Sequence, residues 1–171
     1  MKKMLAILAI AITLALVAPS AEGATTEQAE PPQQSSVSVI DMMVEMKMQN
    51  RILELHEHVN KTRYAFSGST PRGWDCSGLV MWFYSDFGIE LEHSATKQMY
   101  SGEVVTEPKI GDIVSISYPG SKSSYHNGIY AGDGYMIHSP RPGRATELRP
   151  INEVSLNHTV TFTRLVTGVI N

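Results

Sequence analysis

Cys76 is the only cysteine in 171 residues, and it lies in the stretch GWDCSGLVMWFY. A thiolate attacks carbonyl carbon well and a thiol attacks it poorly. Chemistry at Cys76 therefore needs a setting that favours loss of the proton and a base to take it. The spacing of Cys76, Leu79, Val80, Phe83 and Phe87 predicts an amphipathic helix, with Asp75 as N-cap and Gly88 as the stop. The sulfur then sits in the first turn, on the core-facing side. Unpaired N–H groups and the helix dipole favour a thiolate there, and the N–H groups of Cys76 and Ser77 can face a developing oxyanion. Ser77 and Gly78 are small and leave room for a substrate. A buried cysteine that only fills space begins helices too, so position alone does not decide.

The base must come from six histidines: His56, His58, His93, His126, His138 and His158. His56 and His58 fall on a predicted helix, where i and i+2 point apart; they make a poor metal pair and read as a solvated face. His93 lies in a loop where it could line a cleft. His158 begins a predicted strand without an evident partner. His126 and His138 differ, because they lie on two predicted strands joined by AGDG. Side chains alternate along a strand, so His126, Gly128 and Tyr130 share a face. A three-residue loop, Gly132 to Gly134, pairs Ala131 with Tyr135 and sets His138 opposite Gly128, diagonal to His126. A two-residue loop puts His138 on the other face. In the first case His126 takes the thiol proton, and His138 fixes its tautomer and orientation.

The rest of the chain supplies the frame for these residues. HNGIYA, YMIHS, DIVSISY, ATELRPI and HTVTFTRLV read as strands, divided by turn signals such as YPGSKSS and GDG. Helices followed by a run of strands indicate an α+β domain with a mostly antiparallel sheet of five to six strands. Residues 39–62, without Gly or Pro, predict a helix whose Ile52, Leu55 and Val59 face the domain. Its N-terminal part, 39–50, is rich in methionine. Residues 24–38 are polar and carry Pro31 and Pro32, as a flexible linker does. Lys2 and Lys3 precede an apolar run from Met4 to Pro19, and small residues follow. This predicts a secretory signal peptide over 1–23, its apolar run short for a membrane span, with no stable span after cleavage; an uncleaved anchor is the competing reading. In an oxidising compartment a single cysteine means an intermolecular bridge or a reactive thiol. A net charge of −3 argues against nucleic acid as the main partner.

DCSGLV (75–80), HNGIYAGDG (126–134) and MIHSP (136–140), in that order, resemble the NlpC-type cysteine peptidases of bacterial cell walls. Gly111 and Asp112 before a strand, and Ser94 and Gln98 in HSATKQ, fit the same pattern. The resemblance covers about Arg51 to Val166. It implies a papain-like α+β fold in which Cys76, His126 and His138 are catalytic. Tyr64, in RYAFSGS, occupies the place of a tyrosine that borders the site, where it could bind the oxyanion or orient substrate. The implied substrates are peptidoglycan stem peptides, cut at an amide bond, often between D-γ-glutamyl and meso-diaminopimelate. The location implied is exported, periplasmic or extracellular, and no metal or organic cofactor is required. Such substrates carry carboxylates that Arg72, Lys97, Arg141 and Arg144 could pair with. Ser67 replaces a usual glycine, Asn127 a usual aliphatic residue and Ile110 a usual proline, which leaves the bond cleaved open. A related amidase and a non-catalytic wall-binding module are the other readings.

Overall fold

The computed structural model describes residues 38–166. The expected signal peptide, and the expected linker apart from Ser38, lie outside the described residues. Ser38 caps the first helix, α1 (Val39–His56), and a reciprocal bond from the Ser38 N–H to the Asp41 carboxylate completes a capping box. Met48, Ile52 and Leu55 go into the core, while Met42, Met43 and Met46 stay exposed.

The pattern predicts a helix to Thr62, yet α1 stops at His56. The N–H groups of His58 and Val59 bond to carbonyls three residues back, and Asn60 takes a φ of 63°. Tightened bonds followed by a left-handed Asn are a common way to end a helix. His58 is thereby freed from the helix and does not form a solvated face. Its ring packs edge-on against Trp74 and Trp82, at 5.0 and 5.2 Å, and its Nδ1 lies 2.8 Å from Thr62 Oγ1.

A two-strand ribbon, β1 (Ser69–Thr70) and β2 (Gly73–Trp74), leads into α2 (Cys76–Ser85). Leu79, Val80, Phe83 and Phe87 are buried as the spacing predicts, and Gly88 ends the segment at φ 72°. Arg51 of α1 reaches the last turn of α2. Its guanidinium lies 3.5 Å over Trp82 and donates to the carbonyls of Trp82 and Phe83. One buried cation thus satisfies carbonyls that a helix end leaves without partners.

After α3 (Ala95–Met99) come β3 (Glu103–Val105), β4 (Ile113–Ser117), β5 (Ser124–Gly132), β6 (Tyr135–His138), β7 (Glu147–Pro150), α4 (Ile151–Ser155) and β8 (Thr159–Arg164). The sheet order is β3-β8-β4-β5-β6-β7, antiparallel throughout. Ile113, Ile129 and Ile137 pack with α1 and α2; Val114, Ile116 and Met136 face a second apolar cluster with Ile151. This is the expected α+β class, with six strands in the main sheet. The Gly-Asp pair before β4 is structural: buried Asp112 holds Arg164 through two oxygens, at 3.0 and 2.7 Å. Among the described residues no helix is long and apolar enough to cross a membrane.

Candidate active site

Cys76 opens α2, and Asp75 is its cap. Asp75 Oδ1 accepts from the Gly78 N–H at 2.8 Å and the Ser77 hydroxyl at 3.1 Å; Oδ2 accepts from the Ser67 N–H at 2.9 Å. Ser67, where a glycine was expected, has a φ of 56°. The Ser77 hydroxyl is committed to the cap, so only its N–H is left for an oxyanion. The sulfur of Cys76 is approached by the backbone N–H groups of Asn127, Ser77 and Cys76 itself. Asn127 follows His126 directly, so this contact sets the helix start against the histidine strand.

The β5–β6 hairpin uses a two-residue turn, Asp133 and Gly134, both with positive φ, and pairs Gly132 with Tyr135. By simple alternation that turn moves His138 to the wrong face. A bulge at Ala131 absorbs one residue, so that Tyr130 pairs with Met136 and Ile129 with Ile137. His138 then falls opposite Gly128, as the longer loop predicts by a different route. His126 Nε2 lies 2.7 Å from His138 Nδ1, with the rings at 84°. Gly128 leaves the space: a Cβ there would stand 2.9 Å from the His138 Cβ and 2.7 Å from the Ile137 carbonyl oxygen. With its proton on Nε2, His126 donates to His138 and has the Nδ1 lone pair left to accept a proton. Among the described residues no hydrogen bond joins Cys76 to His126 directly.

Residues 61–164, more than half of the chain, match the sequence profile of the NlpC/P60 family. The chain belongs to this family. A probable endopeptidase of Mycobacterium tuberculosis is 38% identical over 91 residues, covering 52% of this chain and 23% of that protein. A gamma-D-glutamyl-L-lysine dipeptidyl-peptidase of Bacillus cereus is 35% identical over 92 residues, covering 52% and 28%. The chain thus spans about a quarter of the length of these curated relatives. The crystal structure of the NlpC/p60 domain of peptidoglycan hydrolase SagA superposes with a TM-score of 0.59 at 25% identity, covering 68% of this chain and 98% of that one.

The other expected site residues of this NlpC/P60 domain divide. Tyr64 is half-buried, and its hydroxyl is pushed up by burial and by the nearby Asp75 and Cys76. Arg72 stands exposed in the β1–β2 turn, without a hydrogen bond or ion pair to the other site residues. His93 Nε2 lies 2.8 Å from Asp75 Oδ1, a pairing across 18 residues that no local pattern announces. Burial raises the Asp75 carboxyl, but bonds from Gly78, His93 and Ser77 outweigh it and hold the group below the usual range. His158 is not without a partner: Nδ1 lies 2.7 Å from the Tyr125 hydroxyl.

Asn127 is fully buried where an aliphatic residue is usual. Its Nδ2 donates to Gln98 Oε1 at 3.0 Å and to the Ala95 carbonyl at 3.1 Å, and Oδ1 lies 2.9 Å from Ser124 Oγ. Gln98 in turn donates to the Ser77 carbonyl at 2.9 Å. A buried amide pair therefore ties the histidine strand to the cysteine turn. The substitution is tolerated because every polar atom of Asn127 is matched.

Burial pushes the Cys76 thiol up, and the Asp75 carboxylate adds to the rise; the three N–H groups oppose it without reversing it. The resting sulfur is therefore a thiol, contrary to the helix-dipole expectation, because desolvation outweighs the helix start. His126 is lowered to about 3 by burial and by His138, and His138 to about 4 by burial, Arg149 and Arg144. Both rings are neutral at neutral pH. Unfolded histidines bind protons below about 6.5, whereas His138 does not until about 4 and His126 until about 3, so the unfolded chain gains stability over those windows. The loss is on the order of 1 kcal/mol per histidine per pH unit below 6.5. Thermal unfolding should show a midpoint several degrees lower at pH 5.5 than at pH 7, less so in a His126→Asn/His138→Asn variant. Equal midpoints in the native protein would contradict the burial of neutral rings.

Proposed function

We propose that this chain is an exported peptidoglycan endopeptidase that cleaves the amide bond between D-γ-glutamyl and meso-diaminopimelate in stem peptides, through Cys76, His126 and His138. The Cys76 proton passes to His126 Nδ1 as the sulfur bonds to the carbonyl carbon. The N–H groups of Cys76 and Ser77 receive the oxyanion, with Tyr64 beside them. The C–N bond breaks, and His126 returns the proton to the leaving amine. Water then hydrolyses the thioester, its proton passing to His126 and back to sulfur. His138 keeps His126 in the tautomer that can accept. A neutral thiol beside a neutral imidazole suits proton transfer concerted with attack, and an apo site need not hold the pair at hydrogen-bond distance.

The observation that carries this reading is the 2.7 Å bond from His126 to His138, on a strand whose next residue, Asn127, is tied through Gln98 to the Ser77 carbonyl beside Cys76. Membership of the family supports the substrate class. The predicted signal peptide supports a periplasmic or extracellular cell-wall location. Digestion of purified peptidoglycan tests the bond. Fragments read by mass spectrometry are expected to carry a new amino terminus on diaminopimelate. A new terminus elsewhere would keep the mechanism and change the bond; no fragments from folded protein would count against the enzyme.

A further inference from the structure

A depression of about 240 Å³ starts at the histidine pair, lined by Tyr125, His126, His138, Pro140 and Val154. It shares His138, Pro140 and Val154 with a cavity of about 500 Å³ whose wall includes Arg141, Arg144 and Arg149. The two form one groove with a basic end. Arg144 is matched by Glu147, with Nε 2.7 Å from Oε1, and Arg149 by Glu153 at 2.5 Å. The Arg141 side chain has no hydrogen-bond or ion-pair partner among the described residues. The groove therefore ends in one unmatched positive charge beside two acid–base pairs. An anion bound there would supply the missing counter-charge.

The proposed reaction fixes which part of a substrate lies in this groove. His126 protonates the leaving amine, so that nitrogen must come within hydrogen-bond reach of its ring. The residue bearing the amine then enters the depression beside His126. In meso-diaminopimelate that residue ends in a second amino-acid head, with one ammonium and one carboxylate. L-Lysine ends in an ammonium alone. The mixed lining of arginines and glutamates matches the head with both charges. We infer that the arginine cavity is the subsite for the side-chain carboxylate of the diamino acid on the leaving side of the bond, with Arg141 as its counter-charge. The inference rests on the proposed bond, which is what puts the diamino acid next to His126. His138 Nε2 is buried and has no hydrogen-bond partner among the described residues, so the carboxylate meets the guanidinium and not the ring.

Two synthetic peptides test this: L-Ala-γ-D-Glu-meso-diaminopimelate, and the same peptide with the side-chain carboxylate amidated. The native protein is expected to show a kcat/KM about tenfold higher for the free carboxylate, the size of one charge-assisted contact. Arg141→Gln should bring the ratio to about twofold, and Arg141→Lys should hold it between. A ratio near one in the native protein, or one that survives Arg141→Gln, overturns the inference. Where neither peptide is cleaved, calorimetric binding to Cys76→Ala protein decides. Tighter binding of the free carboxylate that Arg141→Gln abolishes would keep the subsite and discard the bond assignment. Equal binding of the two, or none, would discard the subsite.

Discussion

Cys76→Ala is expected to lower release of peptidoglycan fragments by at least about 10³-fold, the scale on which losing a covalent nucleophile acts. The fold should survive it. Cys76 is half-buried, and alanine is the best helix former, so the first turn of α2 loses only a sulfur contact. Asp75 still accepts from Gly78, and Gln98 still holds the Ser77 carbonyl. The N–H groups that face the sulfur remain, so substrate binding should persist while turnover is lost. That split separates a nucleophile from a buried space-filler, whose removal would change stability and leave rate alone. The measurements are fragment release by mass spectrometry and thermal unfolding side by side. Wall lysis retained in a folded Cys76→Ala protein would end the thiol mechanism, whatever happens to the histidines.

The parts of this site that the chain displays openly are those with a periodic signal. The α2 face is a 3.6-residue pattern with a cap and a glycine stop, and the structure reproduces it. The long strands alternate and end at turns, so β4, β5, β6, β7 and β8 are all visible. β3 and the β1–β2 ribbon are only two or three residues long, too short for alternation to register. The route to the His126–His138 contact is also hidden. AGDG admits a two-residue or a three-residue turn, and which face His138 takes depends on a bulge that packing decides. Pairings across space leave no trace either: His93 on Asp75, and Asn127 on Gln98. The thiol's direction of shift is a balance of desolvation and the Asp75 carboxylate against three N–H groups, and only the packed fold sets the two sides of that balance.

Gly78→Ala shows how such a contact can overrule a local rule. In an exposed helix, alanine for glycine would stabilise by up to about 1 kcal/mol. Here the added Cβ would stand 1.9 Å from the Gly68 carbonyl oxygen, 2.9 Å from its carbon and 3.1 Å from the Ser69 Cα. All three are backbone atoms, and Gly68 is pinned: its N–H donates to Ala65 and its carbonyl accepts from Asp75, at 3.0 and 3.1 Å. A Cβ on Gly68 would itself meet the Gly73 carbonyl oxygen at 2.4 Å, so the ribbon has no room to retreat. Relief must come from α2 moving off, against the burial of Leu79, Val80 and Phe83. Overpacking of this kind costs about 3 kcal/mol or more, which outweighs the helix gain. The thermal midpoint should fall by about 10 °C or more. Activity should fall further than stability explains, because Cys76 lies two residues away and a displacement of about 1 Å can cost 10²-fold. Circular dichroism melting together with turnover at a temperature where the variant is still folded reads both effects. A midpoint that is unchanged or raised would mean that helix propensity decides this position and that the ribbon does not clamp the start of α2.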